Sequence, residues 1–472
     1  MIRNWLPCAT ALAIFAIGVP GSQAALPIHV GFQIQARTNF AVNPGGAYNI
    51  PPNYFFSNED IKVNDARQVS FHISVVGGAD FQSVWFGQNG VGGIVYNSAD
   101  FAFLGQTSLN NLGRVVWETQ FAAPNGIYFY DQPSATSGFL TNRPLGASGW
   151  GSPRINDSGR IGYRANFTGS GTAFVSWEPP NNTLIHAAEA GVDPLSPYSF
   201  LFTPNFNNNR QIAAKVRRGG PGQTGESQPD EIRLFAADGS SSLIASDADA
   251  VPGSPYMRFD NSVGVNSVGQ VAFISTLMAG GRGVFLSNGT TSLTIATTTA
   301  PGSPVTDIEF FAPACNDAGQ VVFRARDTAG RRAIWIGDGA SLRRVVTHLD
   351  ILPSDLGPAR VEQHDTSPVF GGAPGINAFG DVAFNAALTP PADNQIEWGT
   401  GVYLALAARK GDLNCDGSVD ALDAPAFVLA LLDSAAYASA YPSCDISLGD
   451  LELDGALNGA DIQPFVQAVL TP

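Results

Sequence analysis

One nine-residue pattern occurs seven times along this chain and limits the possible folds more than any other feature. Each copy has an apolar residue, an asparagine, two variable residues, usually a glycine, a polar residue and then alternating apolar residues. The copies are residues 63–71, 109–117, 155–163, 206–214, 265–273, 315–323 and 376–384, and their asparagines lie 46, 46, 51, 59, 50 and 61 residues apart. Repetition at this period is typical of propellers, solenoids and related arrays.

Each copy predicts a tight turn followed by a strand. Asparagine bonds its own backbone in such turns, and glycine accepts positive φ. Val271 and Phe273 alternate as on one face of a strand. Second strands at 283–286, 333–336 and 401–404, a third such as 293–296, and a short aromatic strand such as 308–311 follow. This gives about four strands in each unit of roughly 55 residues.

Seven four-stranded units predict a mainly β fold, a seven-bladed β-propeller over residues 25–408, because radial closure removes exposed sheet edges. We expect both termini to build the last blade, with residues 30–34 as its third strand and 54–56 as its fourth. A pair of β-sandwiches or an open solenoid is the alternative. The repeats resemble uncharacterised tandem propeller-like repeats of exported bacterial proteins. Their turns lack the serine and tryptophan that frame sialidase Asp-boxes, so we interpret them as structural.

The first 24 residues read as a signal peptide. Arg3 precedes an apolar run at 8–19, which Pro20 and Gly21 interrupt, and small residues precede Ala25. This run is shorter than the roughly 20 residues that span a bilayer, although a retained anchor is the alternative. We therefore expect a secreted or cell-surface protein. High glycine and proline counts (52 and 32) with only 14% charged residues suit a turn-rich β protein.

The negative charge is concentrated at the C-terminus. Residues 411–472 hold nine Asp, one Glu and no Lys or Arg, a charge of −10 out of the total −15. Such a segment repels itself unless cations neutralise it. No basic stripe suggests nucleic-acid binding.

Two segments of this acidic tail match the twelve-residue calcium loop, which places ligands at positions 1, 3, 5, 7, 9 and 12 and glycine at position 6. The first has Asp412, Asn414, Asp416, Gly417, Ser418, Asp420 and Asp423; the second has Asp450, Glu452, Asp454, Gly455, Ala456, Asn458 and Asp461. Position 7 supplies only its carbonyl, so Ser418 and Ala456 are both acceptable. We expect two calcium ions; acidic turns without metal are the alternative.

Each loop runs directly into a predicted helix, at 421–433 and 459–470. The helices have apolar stripes: Leu422, Phe427, Val428 and Leu431 in the first, and Ile462, Phe465, Val466 and Val469 in the second. Two loop-then-helix units at 411–472 resemble the type I dockerin family. The resemblance implies calcium-dependent folding and docking onto a cohesin-like or other surface protein. Glu452 replaces a shorter ligand, and the apolar or small residues at loop positions 10 and 11 leave the partner undefined.

Cys415 and Cys444 both lie in this tail, where a small exported module gains from a disulfide; two free thiols are the alternative. Cys315 stands where other copies have an apolar residue, and we interpret it as a small buried apolar side chain. We expect a monomer with no transmembrane segment.

The sequence contains no recognisable catalytic motif. Five histidines (His29, His72, His186, His348 and His364) are scattered without metal-ligand spacing. Four glutamates are candidates for glycoside cleavage, Glu118, Glu178, Glu189 and Glu397, but we interpret them as solvated surface acids. Six tryptophans could stack on sugars, Trp85, Trp117, Trp150, Trp177, Trp335 and Trp398; for Trp117 and Trp335 we expect blade-core packing. We predict a non-catalytic propeller that binds a protein or glycan. The alternative, since dockerins accompany polysaccharide-degrading enzymes, is a glycoside hydrolase or lyase.

Overall fold

The described part of the computed structural model comprises residues 26–38, 46–56, 59–77, 80–99, 106–119, 125–140, 146–180, 182–363, 369–442, 444–452 and 454–470. The predicted signal peptide and His364 lie outside these residues. Within them the chain forms seven antiparallel sheets, which we number as blades 1 to 7.

The blades follow one another along the chain. Blade 1 comprises Tyr54–Phe55, Lys62–Val63, Gln68–Val75, Gln82–Gln88 and Val91–Ser98. Blade 2 comprises Ser108–Leu109, Arg114–Thr119, Gly126–Asp131 and Thr136–Leu140. Blade 3 comprises Gly149–Ile155, Ile161–Phe167, Gly171–Glu178 and Asn182–Ala188. Blade 4 comprises Tyr198–Leu201, Asn205–Phe206, Ile212–Arg218, Asp230–Phe235 and Ser241–Ser246.

The remaining blades have the same organisation. Blade 5 comprises Tyr256–Phe259, Gly264–Val265, Val271–Leu277, Arg282–Ser287 and Ser292–Thr297. Blade 6 comprises Val305–Ile308, Ala314–Cys315, Val321–Asp327, Arg332–Gly337 and Leu342–Thr347. Blade 7 comprises Ile351–Ser354, Gly357–Val361, Gly375–Ile376, Val382–Thr389, Gly399–Ala407 and the N-terminal strand His29–Arg37. The prediction of seven blades is confirmed.

The repeated pattern explains the packing inside a blade. In five blades an aromatic residue of the strand that follows the turn lies directly opposite an aromatic residue of the next strand. These pairs are Phe71 with Trp85, Trp117 with Tyr128, Phe273 with Phe285, Phe323 with Trp335, and Phe384 with Tyr403. Facing aromatic side chains stabilise a strand pair beyond the area they bury. The expectation that Trp117 and Trp335 pack in blade cores is confirmed.

Blade 7 closes the ring, as expected, by combining both ends of the chain. His29–Arg37 pairs with Gly399–Ala407 and takes the predicted position of a third strand. The prediction for the fourth strand was wrong, because Tyr54–Phe55 pairs with Gln68–Val75 of blade 1. The same correction applies to other units: the short strands Tyr198–Leu201, Tyr256–Phe259 and Val305–Ile308 pair within blades 4, 5 and 6. Each of these short strands therefore connects one repeat unit to the next blade.

The ring is continuous. The short inner strands, such as Lys62–Val63, Gly264–Val265 and Gly375–Ile376, contact those of the neighbouring blades, and the contacts run from blade 7 back to blade 1. This closure excludes the sandwich and open-solenoid alternatives. The apolar cores lie between blades: one cluster combines Ile274 and Leu286 of blade 5 with Phe323 and Trp335 of blade 6.

A small helical region follows the propeller. It contains α1 (Ala424–Leu432), α2 (Ser434–Ala440) and α3 (Ile462–Leu470), with 3-10 turns at Ala421–Asp423, Ile446–Gly449 and Gly459–Asp461. α1 and α3 confirm the two predicted helices, whereas α2 was not predicted. In the portion of the chain that can be described, no helix has the length and apolar character needed to cross a bilayer.

The apolar stripes of the two tail helices were only partly right. Phe427 and Phe465 are buried and stack face to face, with ring centroids 4.1 Å apart. Leu422 and Val428, which were expected to be buried, are exposed, as are Ile462 and Val466. The core of this small region is too narrow to cover both sides of either helix. The predicted Cys415–Cys444 disulfide is confirmed.

Candidate functional site

The asparagines of the seven repeats form a closed ring of hydrogen bonds at the central channel. Each side-chain Nδ2 donates to the backbone carbonyl of the next repeat asparagine, at 2.9–3.2 Å. The ring closes where Asn377 donates to the carbonyl of Asn64 at 3.0 Å. Each side-chain Oδ1 also accepts the backbone N–H four residues on, as Asn266 does from Gln270. The sequence indicated this local turn but not the link between blades.

The residue after each asparagine extends this network. The backbone N–H groups of Asp65, Asn111, Asp157, Ser267 and Ala378 donate to side-chain oxygens of the next blade. Together the two layers surround a channel cavity of about 240 Å³. Because these polar groups bond one another, this mouth of the channel is primarily structural, and the interpretation of the turns as structural agrees with it.

A second set of links lies deeper in the channel, at the eighth residue after each asparagine. Arg164 donates to the carbonyl of Leu201, Lys215 to that of Phe259, Arg324 to that of Gly372 and Asn385 to that of Glu59, at 2.9–3.3 Å. Each bond joins one blade to the inner loop of the next. The other residues at this position are His72, Glu118 and Ile274. Ile274 of blade 5 has no polar atom with which to hold blade 6.

A cavity of about 460 Å³ lies beside blade 5, where this polar link is replaced by isoleucine. Lys215 and Arg217 of blade 4 flank it with Asp230, at 2.9 and 2.8 Å. Arg282 and Asp260 of blade 5 form a second pair, at 2.6 Å. The inner loop of blade 6 completes the wall. This cavity was not predicted; the break in the polar pattern eight residues after each asparagine was the available signal.

The first acidic loop is held by hydrogen bonds to its own backbone. The Asp412 carboxylate accepts the N–H groups of Asp416 and Gly417, at 3.1 and 3.0 Å. The Asp423 carboxylate accepts those of Asn414 and Asp420, at 3.0 and 2.9 Å. Gly417 has φ of +89°, which explains why glycine occupies the sixth position.

The second loop repeats the same pattern. Asp450 accepts the N–H groups of Asp454 and Gly455, and Asp461 accepts those of Glu452 and Asn458. Gly455 has φ of +91°. The loops therefore share position-by-position geometry, even though the second has the longer Glu452.

The electrostatics of the loops favour an added cation. Burial, together with Asp423 and Asp416, raises the pKa of Asp412 to about 7. Burial also raises the pKa of Asp423. Among the described residues, no lysine or arginine pairs with the carboxylates of the first loop, whereas Lys410 lies 3.9 Å from Asp450 in the second. The second loop is thus better neutralised by the protein itself.

We tested whether the loop residues fit calcium. Carboxylate, amide and carbonyl oxygens are the ligands that this hard ion prefers, and both loops supply them at the required positions. In the part of the chain that is described, no three Asp, Glu, His or Cys side chains are gathered as a metal cluster. The loop oxygens instead bond backbone N–H groups. The donor chemistry of the two loops fits a divalent cation, and calcium at these loops stays a prediction.

The first acidic loop contacts the propeller through Arg67. This side chain pairs with Asp381 of blade 7, at 2.8 Å, and donates to the carbonyl of Gly417. Arg409 pairs with the same carboxylate, at 2.9 Å. Arg67 occupies a position at which five of the seven turns have glycine, and its φ is +59°. This arginine joins blade 1, blade 7 and the tail.

The four candidate glutamates lie in buried positions. The expectation that they are solvated was wrong, since Glu118, Glu178, Glu189 and Glu397 are all at most 7% exposed. Glu178 pairs with Arg160 and Arg210, and Glu189 accepts the Thr172 hydroxyl and the Leu201 N–H. Burial in these contacts withholds them from a polysaccharide.

The tryptophans and the free cysteine have structural positions. Five tryptophans are buried, Trp85, Trp117, Trp150, Trp177 and Trp335, and Trp398 packs against the core of blade 7. None of the five offers a face to a sugar. Cys315 is half-buried against an apolar cluster, and burial raises its pKa to about 12, in agreement with its interpretation as an apolar side chain.

The fold and its tail define a seven-bladed β-propeller protein with a small helical C-terminal region. A family described as "Family of unknown function (DUF7453)" matches residues 184–325 and 282–439. These segments together span more than half of the 472 residues, and the chain belongs to this family. No curated protein matches the chain.

Several solved structures are similar to the chain at low identity. An oligogalacturonate lyase in complex with manganese has 11% identity and a TM-score of 0.48, over 81% of this chain and 98% of that one. The propeller domain of the trilobed protease of Pyrococcus furiosus has 11% identity and a TM-score of 0.47, over 75% and 95%. TolB from Acinetobacter baumannii has 12% identity and a TM-score of 0.38, over 62% and 79%. These values carry no argument about activity.

Proposed function

We propose that this protein is an exported, non-catalytic binding protein whose calcium-loaded tail docks it onto a protein partner. The observation that carries the proposal is the duplication in the tail. Two loops with calcium-ligand residues at the same positions have the same hydrogen bonds, and each leads into a helix. The predicted signal peptide and the disulfide support an extracellular location.

The docking surface is formed by exposed apolar residues of α1 and α3. Counting from the last loop aspartate, Val428 corresponds to Val466, and Leu432 to Leu470. The valines are 50% and 48% exposed, and the leucines 78% and 74%. Apolar residues at matching, solvent-facing positions favour a protein partner, since they contribute nothing to the folded core. A cohesin-like surface protein is the partner that the dockerin resemblance supports.

In this proposal the tail binds the partner protein and thereby presents the propeller at the partner's surface. The repeat asparagines at its channel bond the neighbouring blades, and the four candidate glutamates are buried. No observation therefore favours the glycoside hydrolase or lyase alternative. Binding of a glycan or protein remains the role that we propose for the propeller.

The proposal is tested by titrating the full-length protein with calcium in a calorimeter. We expect two binding events in the wild-type protein and one in each of the variants Asp412→Asn and Asp450→Asn. The matched control is Asp433→Asn, which changes an exposed helix-capping aspartate of the tail outside both loops. Absence of heat from the wild-type protein at millimolar calcium, or equal loss in the control, would overturn the proposal.

A further inference from the structure

We propose that the cavity beside blade 5 binds a neutral oligosaccharide. The proposal names a ligand class for the propeller and so rests on its proposed binding role, but not on calcium or on the tail. The cavity volume of about 460 Å³ lies within the range of small-ligand sites, which is roughly 300–1,000 Å³. It opens at the inner loops of blades 5 and 6.

The charges of the cavity favour an uncharged ligand. Four cationic and four acidic side chains line it, so its formal charge is zero. Lys215 and Arg217 are both paired with the buried Asp230, and Arg258 pairs with Glu226 at 2.8 Å on the rim. An anionic or cationic ligand would have to separate one of these pairs, whereas a neutral ligand leaves them intact.

Arg282 and Asp260 supply hydrogen-bonding groups of both kinds. One terminal nitrogen of Arg282 bonds the Asp260 carboxylate at 2.6 Å. Its Nε is buried and has no partner among the described residues. Burial raises the pKa of Asp260 although Arg282 is adjacent. A sugar hydroxyl donates and accepts at once, so a pair of adjacent hydroxyls can complement a carboxylate and a guanidinium together.

Phe310 supplies an aromatic platform at the same place. Its ring lies 3.9 Å from the guanidinium carbon of Arg282, and 78% of the residue is exposed. This exposure leaves the Phe310 ring accessible to a ligand at the edge of the cavity. An exposed aromatic face accommodates the apolar C–H face of a pyranose ring, while neighbouring polar groups bond its hydroxyls. Phe310, Arg282 and Asp260 together fit a saccharide better than a wholly polar ligand.

The test is binding of the full-length protein to neutral hexasaccharides of β-1,4-glucan, β-1,4-xylan and α-1,4-glucan, measured by calorimetry with and without a chelator. We expect one of them to bind, and Phe310→Ala to weaken that binding at least tenfold. The matched control is Phe379→Ala, which removes another exposed phenylalanine, stacked on Arg409 at 4.2 Å and outside the cavity. Its binding should equal that of the wild-type protein.

Two outcomes would overturn the assignment: no binding of any hexasaccharide, or equal weakening by both phenylalanine variants. Both variants change exposed side chains, and thermal melting will verify that they fold. Calcium binding without sugar binding would remove this proposal and leave docking intact. Sugar binding that persists in chelator, in a chain without calcium binding, would support this proposal and remove docking.

Discussion

The channel turns of the propeller and the acidic loops of the tail contain similar polar residues, but these residues form different contacts. In the propeller, Asn266 bonds its own turn and also the carbonyl of Asn316 in the next blade. In the tail, Asp412 bonds only N–H groups of its own loop. The neutral amide therefore links two blades, whereas the described contacts of the carboxylate stay within one loop. If the proposed calcium binding is correct, the asparagine ring is stable without an ion and the loops depend on one.

The largest expected effect is removal of calcium. A ligand at a thousand times its dissociation constant stabilises the native state by about 4 kcal/mol. We expect chelation to remove this stabilisation from the tail, while the propeller keeps its own hydrogen bonds. Scanning calorimetry of the full-length protein should show a low-temperature transition that moves with calcium and a high-temperature transition that hardly moves. Identical scans with calcium and with chelator would contradict the comparison.

Acidic pH should lower the stability of the propeller. Burial lowers the pKa of His72 from 6.5 to about 4, although Asp60 opposes this shift. The folded propeller therefore resists protonation, and its stability is full above pH 6.5 and declines as the pH falls towards 4. This one histidine accounts for up to about 3 kcal/mol at pH 4.

The check is chemical denaturation at several pH values for the wild-type protein and His72→Gln. The variant should lose less stability than the wild-type protein between pH 6.5 and 4. His29, His186 and His348 also have lowered pKa values, so some acid sensitivity will remain. The sequence of 411–472 contains no histidine, so this mechanism is confined to the propeller. If the free energy of unfolding changed equally with pH in both proteins, His72 would be ruled out as a contributor.

Removal of one hydrogen bond from the asparagine ring should cause a smaller, local loss of stability. Asn266→Ala removes the link to Asn316 and leaves buried backbone groups without partners, which costs about 1–3 kcal/mol. The matched control is Asn288→Ala. Asn288 bonds the N–H groups of Thr290 and Thr291 in an exposed turn. Urea denaturation should show a clearly larger loss for Asn266→Ala. Equal losses would mean that the turn, and not the link between blades, carries the energy.

Sequence reasoning succeeded where local chemistry decides the structure. Asn and Gly define the turns of the repeat, and alternation such as Val271 and Phe273 defines the strand that follows. It failed where pairing is decided by distant residues. Tyr54–Phe55 has strand-like composition, but nothing within it specifies whether it joins blade 7 or blade 1. The burial of Glu118 and the exposure of Val428 likewise depend on neighbours brought together by folding.

The same division applies to the candidate sites. The two acidic loops could be recognised because each lies within twelve residues, and calcium as their ligand stays a prediction. The cavity beside blade 5 combines Lys215, Arg282 and Phe310 from three blades, and no short segment contains it. The nearest signal in the sequence is Ile274, which interrupts a polar position that otherwise recurs eight residues after each asparagine but does not itself line the cavity.

Arg67 contacts both the propeller and the tail, and its substitution tests whether these two regions unfold independently. Both Arg67 and Arg210 adopt positive φ at a turn position that is glycine in the other five copies. Arg210 pairs with Glu178 inside the propeller, whereas Arg67 reaches Gly417 of the first acidic loop. Each Arg→Gly substitution relieves backbone strain of about 1 kcal/mol and removes one ion pair. The two variants therefore differ in the contact with the tail and in the burial of the ion pair that each loses.

We expect Arg67→Gly to separate the calorimetric transitions of tail and propeller and to speed proteolysis between residues 408 and 411. The lost pair between Arg67 and Asp381 is buried, which costs about 3–5 kcal/mol when one partner is removed, and Arg409, which still pairs with Asp381, should offset part of this loss. Arg210→Gly should leave both the tail transition and the proteolysis rate unchanged. If the two variants behaved alike, the contact between Arg67 and Gly417 would have no energetic role, and the acidic loop would be independent of the propeller.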